Sequence, residues 1–401
     1  MSQPKSAYPR TNFFAAASLV SALMGIPLIA IVLGHIGRAQ TAESDERGRG
    51  MAIAGLIIGY IEFVGAAIAI TIAATVLFTG AQPVPLAAPS TASWQLGDAG
   101  NNAKQTLDGP DTVAVGLNPN GAVVDPAAHT LYVANSGDNT VSVISTTAHT
   151  VTATIAVGSH PDDLAIDPGT HTLYTANDGD NTVSVINTTT HAVRTTIHGN
   201  MDGPTALAID PDTKTLYVAN KASDTVSVID TTTQAVKATI PIGNYPQSAA
   251  LDRQTHTLYT ANEGDHTVSV IDTSTSTVTA TIPVNGLPSG IAIDPTTHSI
   301  YLANASTGRV SVIDPITRGI TSNIPVGTGP AYLVIDAATH TAFTSNTADN
   351  TVSAIDTTTH AVRATIPVGT TPNGVAFDPN TRTLYTNNWE DNTVSVVEPK
   401  H

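Results

Sequence analysis

Within the stretch Ser159-His160-Pro161-Asp162-Asp163, one imidazole and two carboxylates stand almost side by side. Such a grouping can do general acid–base work, because one group holds the proton that another gives up. A second set of departures adds Asp202, in Gly199-Asn200-Met201-Asp202, together with Tyr245, Tyr332, Trp389 and Glu390. Sparse aromatics beside a few carboxylates make a surface suited to a small ligand or a partner protein. The bland alternative is drift on a solvated rim. No G-x-S-x-G elbow, P-loop or H-E-x-x-H occurs, so no residue is assigned a catalytic role. The chain has no cysteine, which excludes disulfides, thiol catalysis, C-x-x-C-H haem attachment, iron–sulfur clusters and cysteine-based zinc sites.

Histidine follows a pattern. His129, His171, His256, His298 and His340 share one position, replaced by Lys214 and Arg382 in two further places, and His149, His191 and His360 share another. A crowd of imidazoles on one face can respond to protons or metals. These residues recur one per unit, too far apart to share an ion, and Lys and Arg take their place freely. No metal and no cofactor is therefore assigned.

All of these residues are placed by a repeat. The Asp closing each "AID"-like run falls at Asp125, Asp167, Asp210, Asp252, Asp294, Asp336 and Asp378, a spacing of 42 residues with one step of 43. A second ruler, the Asn of "YxAN", falls at Asn135, Asn177, Asn220, Asn262, Asn304, Asn346 and Asn388. Seven copies result. Within His160–His198 the runs LAID, TLYTAN, NTVSVI and AVRTTI alternate with period two and are separated by DPGTHT, NDGDN and NTTTH. Those separators carry the Asp, Asn, Gly and Thr that turns use. Four short strands per copy and a period near 40–45 residues specify the blades of an all-β, seven-bladed β-propeller of four-stranded antiparallel blades. One blade cannot cover its own apolar faces, so neighbours stack and bury Val, Ile and Leu between them.

The last copy stops at Val394–Val397, and an extra TVAVG at Thr112–Gly116 precedes the first. Thr112–Val115 is expected to pair with the C-terminal strands, complete blade seven and remove an unpaired edge. The turns between strands one and two and between strands three and four, which hold the eight patterned histidines, should then emerge on one face. The strand-four-to-one loops and strand-two-to-three turns, which hold the divergent residues, should emerge on the other, at the mouth of the central channel.

The recurring D-P-x-x-x-x-L-Y-V-A-N … T-V-S-V-I-D resembles the YVTN-type β-propeller repeat of bacterial and archaeal surface proteins. It is seen in LYVAN at Leu131–Asn135 and Leu216–Asn220 and in LYTAN at Leu173–Asn177 and Leu258–Asn262. Copy six departs with AFTSN (Ala342–Asn346) and copy seven with LYTNN (Leu384–Asn388). The resemblance covers Thr112 to Val397 and implies the fold. Its members include surface-layer and sensor-like proteins, and related propellers include lactonases and electron-transfer enzymes.

Residues 1–12 form a short tail. Phe13–Ile36 and Met51–Phe78 are apolar runs joined by the polar loop Gly37–Gly50, and they are read as a two-helix transmembrane anchor over residues 13–78. IVLGHIGRAQ (Ile31–Gln40) and RGRGMAIAGLIIGY (Arg47–Tyr60) resemble a two-helix membrane domain of unknown function common in actinobacterial proteins. Residues 79–107 are a Pro/Ala/Ser-rich linker, and residues 108–401 the propeller. Glu62, about 18 Å into the second span, is expected to make a polar contact near Gly25–Pro27, where Pro27 leaves the Leu23 carbonyl without its helical donor. Gly55-x-x-x-Gly59 offers a close-packing face for a homodimer through the hairpin. Arg38, Arg47 and Arg49 against Lys5 and Arg10 favour a cytoplasmic loop and an extracytoplasmic propeller at the cell membrane.

Beyond residue 80 there are eleven Lys/Arg against twenty-eight Asp/Glu, a net of −17. That excess argues against nucleic acid and anionic lipid as partners of the propeller, and leaves cationic, neutral or metal-bearing ones. Two functions follow. One is a membrane-anchored recognition or scaffolding module for a protein or small ligand. The other is a propeller enzyme resembling lactonases or quinone- or haem-dependent dehydrogenases, which requires His160, Asp162, Asp163 and Asp202 to converge at the channel mouth. A sensor signalling through the hairpin would need a cytoplasmic output domain, which the sequence lacks.

Overall fold

The computed structural model describes residues 110–398. The chain divides into two units, Met1–Thr91 and Ala92–His401, and the described residues all lie in the second. The hairpin, Glu62 and the linker fall outside them. Among the described residues no helix is long and apolar enough to cross a membrane.

Twenty-eight strands among the described residues form seven four-stranded antiparallel sheets. Six blades are meanders of four consecutive strands. The seventh takes its outermost strand, Asp111–Ala114, from the N-terminal side of the ring, paired with Thr393–Val397. The expected closure is therefore present, shifted by one residue from Thr112–Val115.

Seven apolar wedges, one between each pair of adjacent blades, make up the core. In the closing wedge Val113, Tyr385, Val394 and Val396 of blade seven meet Leu131, Val133 and Ile144 of blade one. The Tyr of each YxAN sits in such a wedge, fully or nearly buried. Tyr301 Oη reaches out to donate to the Thr357 carbonyl of the next blade at 3.1 Å. Copy six puts Phe343 at this position, and it stacks on Phe377 with ring centroids 5.8 Å apart.

The Asn of YxAN is equally structural. Asn177 is fully buried and its Nδ2 donates to Thr182 Oγ1 and Ser184 Oγ, both at 2.9 Å. Its amide packs so closely on Gly158 that a Cβ there would lie 2.5 Å from Nδ2. Gly and Asn, about twenty residues apart in the repeat, are thus two halves of one contact.

The histidines have a conformational explanation. His129, His171, His256, His298 and His340, with Lys214 and Arg382, all have φ between 51° and 59°. So do His149, His191 and His360, with φ of 49° to 55°. This left-handed region is uncommon for non-glycine residues and is several-fold enriched in His, Asn and Asp. Each first-set turn is fixed by the preceding Asp, as where Asp125 Oδ1 accepts from the backbone N–H of Ala127 and Ala128 at 3.1 Å. The two sets share a face, because Thr146 N donates to the His129 carbonyl and Thr188 N to that of His171. Asp167 and Asp230 act as such turn caps.

Candidate functional site

The innermost strands line the central channel: Pro119–Asp125, Pro161–Asp167, Pro204–Asp210, Pro246–Asp252, Pro288–Ile293, Pro330–Asp336 and Pro372–Asp378. In blade two the strand starts three residues before the apolar run LAID that marked it in the sequence. A proline can open a strand because its missing N–H is not needed by the ladder at that point. Immediately after each proline the register shifts, a bulge-like irregularity present in all seven blades. Bulges re-aim side chains, and here they turn the following residue toward the axis.

That residue is Asn120, Asp162, Thr205, Gln247, Ser289, Ala331 or Asn373 in successive blades. Asn120, Asp162, Thr205, Gln247, Ser289 and Asn373, with Ser248 and Tyr332, surround a cavity of about 190 Å³ at this end of the channel. Glu263 and Ala305, each directly after a YxAN asparagine, form part of its outer wall.

The mouth is held by the same turns that border it. In the strand-two-to-three turn of blade one, Asp138 Oδ2 accepts from Leu117 N at 2.7 Å within its own blade. Asn139 Oδ1 accepts from His160 N at 2.8 Å in the next blade. The pair recurs as Asp180 with Asn181, and as Asp391 with Asn392, whose Oδ1 accepts from Asn118 N across the ring closure. The Asp-Asn dipeptides of these turns are clamps between blades.

The lining is asymmetric. On one side a polar chain runs from Asn373 Nδ2 to Asn120 Oδ1 at 2.6 Å, and from Asn120 Nδ2 to Asp162 Oδ1. Tyr332 Oη donates to the same Asn120 Oδ1 at 3.4 Å. Asn387, standing where most copies have Ala, donates from Nδ2 to the Asn120 carbonyl at 2.5 Å and fixes that strand. Here adjacent inner strands nearly touch: a Cβ on Gly121 would lie 2.7 Å from the Asp162 carbonyl oxygen. On the opposite side Thr205, Gln247, Ser248 and Ser289 leave the cavity open.

Asp162 carries the electrostatics. Its side chain keeps 15% of its surface open to the lumen. Burial raises its carboxyl to about 7, against the opposing pull of Lys221, with Asp178 and Asp163 adding to the rise. Lys221 Nζ lies 2.8 Å from Asp178 Oδ2 and 3.9 Å from Asp162 Oδ2. Burial pulls the Lys221 ammonium down, but these two carboxylates outweigh it and the net shift is upward. Asp163 is raised to about 6 by burial, partly offset by backbone donors. Its Oδ2 accepts from Leu207 N at 2.9 Å, so it serves the seam between blades two and three and not the cavity. Tyr332 is raised well above its ordinary value by burial, then by Asp162 and Asp163.

Of the residues singled out in the sequence, Asp162 and Tyr332 line the cavity, and Asp163 lies just behind it. His160 is exposed on the rim, its ring over Gly179, where a Cβ would come within 2.7 Å of Nδ1. Asp202 and Tyr245 are also exposed on this face, on two strand-four-to-one loops, and Trp389 and Glu390 are exposed together on one strand-two-to-three turn. The convergence of His160 with Asp162, Asp163 and Asp202 does not occur. Asn120, Thr205, Gln247, Ser248, Glu263, Ser289 and Asn373 were missed, as were Lys221 and Asp178. The signal was present: the position after the repeat asparagine differs in every copy, and the position after the repeat proline holds six residue types in seven copies. Among the described residues no three His, Asp or Glu side chains are grouped to hold a metal ion.

Fold and site together define a seven-bladed β-propeller with one asymmetric polar mouth. A family model described as a YNCE-like beta-propeller matches residues 119–214. Another, described as Lactonase, 7-bladed beta-propeller, matches residues 187–282. Residues 14–69 match a domain of unknown function, DUF4190. No curated protein matches the chain. Among solved structures the chain is similar to Kuenenia stuttgartiensis hydrazine synthase, at 20% identity and a TM-score of 0.65, covering 74% of this chain and 99% of that one. At that identity the likeness is one of fold.

Proposed function

We propose that the protein is a recognition module that binds a small polar ligand, or a polar side chain of a partner, in the channel mouth. The observation carrying this reading is the cavity lining. Carboxamides, hydroxyls and a carboxylate come from six of the seven blades at the inner-strand position that follows the repeat proline. Fixed polar groups converging on a concavity orient a ligand by hydrogen bonds. The apolar runs at residues 13–36 and 51–78 support a membrane tether with the propeller outside the cell, and a hairpin-mediated homodimer fits Gly55-x-x-x-Gly59.

The test is thermal unfolding of the full chain against a panel of monosaccharides, amino acids, amines and lactones at millimolar concentration. At least one class should raise Tm, since a ligand that binds only the folded state stabilises it. Thr205→Val with Gln247→Leu should abolish the rise. A panel without effect on Tm, or a rise that survives the double change, overturns the reading. Protease shaving of intact cells checks the location, with release of the propeller expected.

A second reading, acid–base catalysis at the same mouth, draws on Asp162, whose carboxyl at about 7 suits proton transfer near neutrality. The lactonase-like match at residues 187–282 gives it a reaction class to try. Against it stands the lining itself, which among the described residues holds no imidazole, since His160 lies outside. Lactone turnover abolished by Asp162→Asn would favour it over simple binding.

A further inference from the structure

Resting on the reading of the mouth as a binding site, we propose that its ligand is an organic cation with a primary ammonium group, held by Asp162 and Glu263, and that binding is linked to proton release. Among the described residues the cavity lining contains two ionisable carboxylates and no cationic side chain. The other lining groups are carboxamides, hydroxyls and Gly or apolar residues, which hydrogen-bond a head group but do not neutralise charge.

Both carboxylates have acceptor capacity left over. Asp162 Oδ1 is taken by Asn120, while its Oδ2 is 3.9 Å from Lys221 Nζ, beyond hydrogen-bond reach. Lys221 itself is engaged with Asp178 at 2.8 Å. Glu263 accepts one bond at its Oε2, from Gln247 Nε2 at 2.5 Å. The two acids come from different blades, on strand Pro161–Asp167 and on the turn after Asn262, so an ammonium entering from the rim meets acceptors on two walls. An ammonium presents three donors, which suits such divergent acceptors better than the planar fork of a guanidinium does. Hydroxyls of Thr205, Ser248 and Ser289 lie along the open wall for the remainder of the ligand.

The ionisable groups around this point set the pH dependence. They are Asp162 and Asp163 on the inner strand of blade two, Asp178, Lys221 and Glu263 on the turns, Tyr332 on the inner strand of blade six, and His160 and Tyr245 on the rim. Of the four carboxylates, Asp162 and Glu263 line the cavity, Asp163 faces the blade seam and Asp178 is paired with the Lys221 ammonium. An added cation beside Asp162 favours its ionised form, so it expels the proton that burial retains. Affinity therefore rises with pH while Asp162 is protonated in the free protein, and levels off once it is not.

Calorimetric titration of the full chain with cadaverine, beside 1,5-pentanediol as its uncharged counterpart, tests the proposal. Cadaverine should bind and the diol should not. The dissociation constant should be about tenfold weaker at pH 6 than at pH 8, as one proton with a free pKa near 7 requires. Asp162→Asn should weaken binding at least tenfold at pH 8 and flatten this dependence, and Glu263→Gln should weaken it without flattening it. Binding of the diol or of glucose with no response to cadaverine overturns the amine assignment and leaves the mouth a ligand site. Calcium binding in place of cadaverine likewise overturns it, in favour of a metal. Silence from all four probes sinks the amine, and with an unchanged Tm across the ligand panel sinks the mouth as well.

Discussion

Val113 lies opposite Val394 in an antiparallel ladder running from Asp111–Val396 to Ala114–Thr393. Residues from the two ends of the described chain thereby occupy one sheet. Val113 is buried in the wedge with Leu131 and Ile144 of blade one, so closure joins a hydrogen-bonded edge to an apolar seam. Removing residues 108–116 leaves Thr393–Val397 as an open edge rich in β-branched residues, a template for intermolecular pairing. Light scattering should show aggregation on mild heating. Val113→Ala, which keeps the ladder but removes buried methyls, should cost about 2 kcal/mol in urea unfolding. An unchanged midpoint for both variants would place stability elsewhere than in the closure.

Asn139 has φ of 58° and accepts from His160 N through its side chain, so one residue supplies both a conformation and a clamp. Substitutions separate the two roles. Asn139→Gly loses the hydrogen bond and keeps easy access to positive φ, for a cost of about 1 kcal/mol. Asn139→Ala loses both, and should be worse than the glycine variant by about a further 1 kcal/mol. Equal destabilisation would show that the left-handed conformation is not sustained by residue choice.

Much of this architecture was legible in the chain because a repeat states its rules seven times. The Asp and Asn rulers found seven blades, TVAVG found the closing strand, and the His positions fell on one face. The mouth was less legible for a geometric reason. By composition Pro161-Asp162-Asp163 looks like loop, yet the strand begins there, and a register shift decides that Asp162 faces the lumen while Asp163 faces the seam. Glu263, Lys221 and Asp178 sit in turns whose composition already explains itself through turn chemistry, which concealed their second use. Tyr245 and Trp389 drew notice by size, but size does not place a side chain in a cavity. Both lie on the rim.

The two faces of the ring should oppose each other in their response to pH. At the mouth, burial holds Asp162 at about 7 and Asp163 at about 6. A carboxyl with a raised folded pKa binds its proton more tightly folded than unfolded, so stability declines as pH rises from about 4 to 7. On the histidine face burial pushes Asp356 upward, but the Thr359 and Thr358 N–H groups and Arg363 outweigh it and hold the carboxyl at about 2. Asp252 and Asp294 are lowered in the same sense, burial again being outweighed by hydrogen bonds. Their contribution is present above about pH 4 and is lost in more acid solution. Tm should peak near pH 5 and fall on either side. Asp162→Asn should reduce the fall between pH 5 and pH 8 and leave the acid limb unchanged; an identical alkaline limb would contradict the burial argument.

Gly374 and Gly319 offer a matched pair in one ring. Gly374 lies on the inner strand of blade seven, where an added Cβ would collide with the Asn120 carbonyl of blade one. That carbonyl is fixed, since Asn387 Nδ2 donates to it, and the neighbouring Asn120 side chain is held by Asn373 and Asp162. Relief requires two inner strands to separate, and Asn120 would move with them. Gly319 lies in a peripheral turn where the nearest atom to a Cβ is Thr317 Oγ1 at 3.5 Å, an ordinary contact. Gly374→Ala should therefore destabilise the protein by about 1–3 kcal/mol, the usual range for overpacking. It should also weaken any ligand held at the mouth, because Asn120 orients Asp162. Gly319→Ala should shift the urea midpoint by no more than about 0.5 kcal/mol in either direction. If Gly374→Ala unfolds like the parent chain while Gly319→Ala does not, the close approach of blades seven and one is not what shapes the cavity.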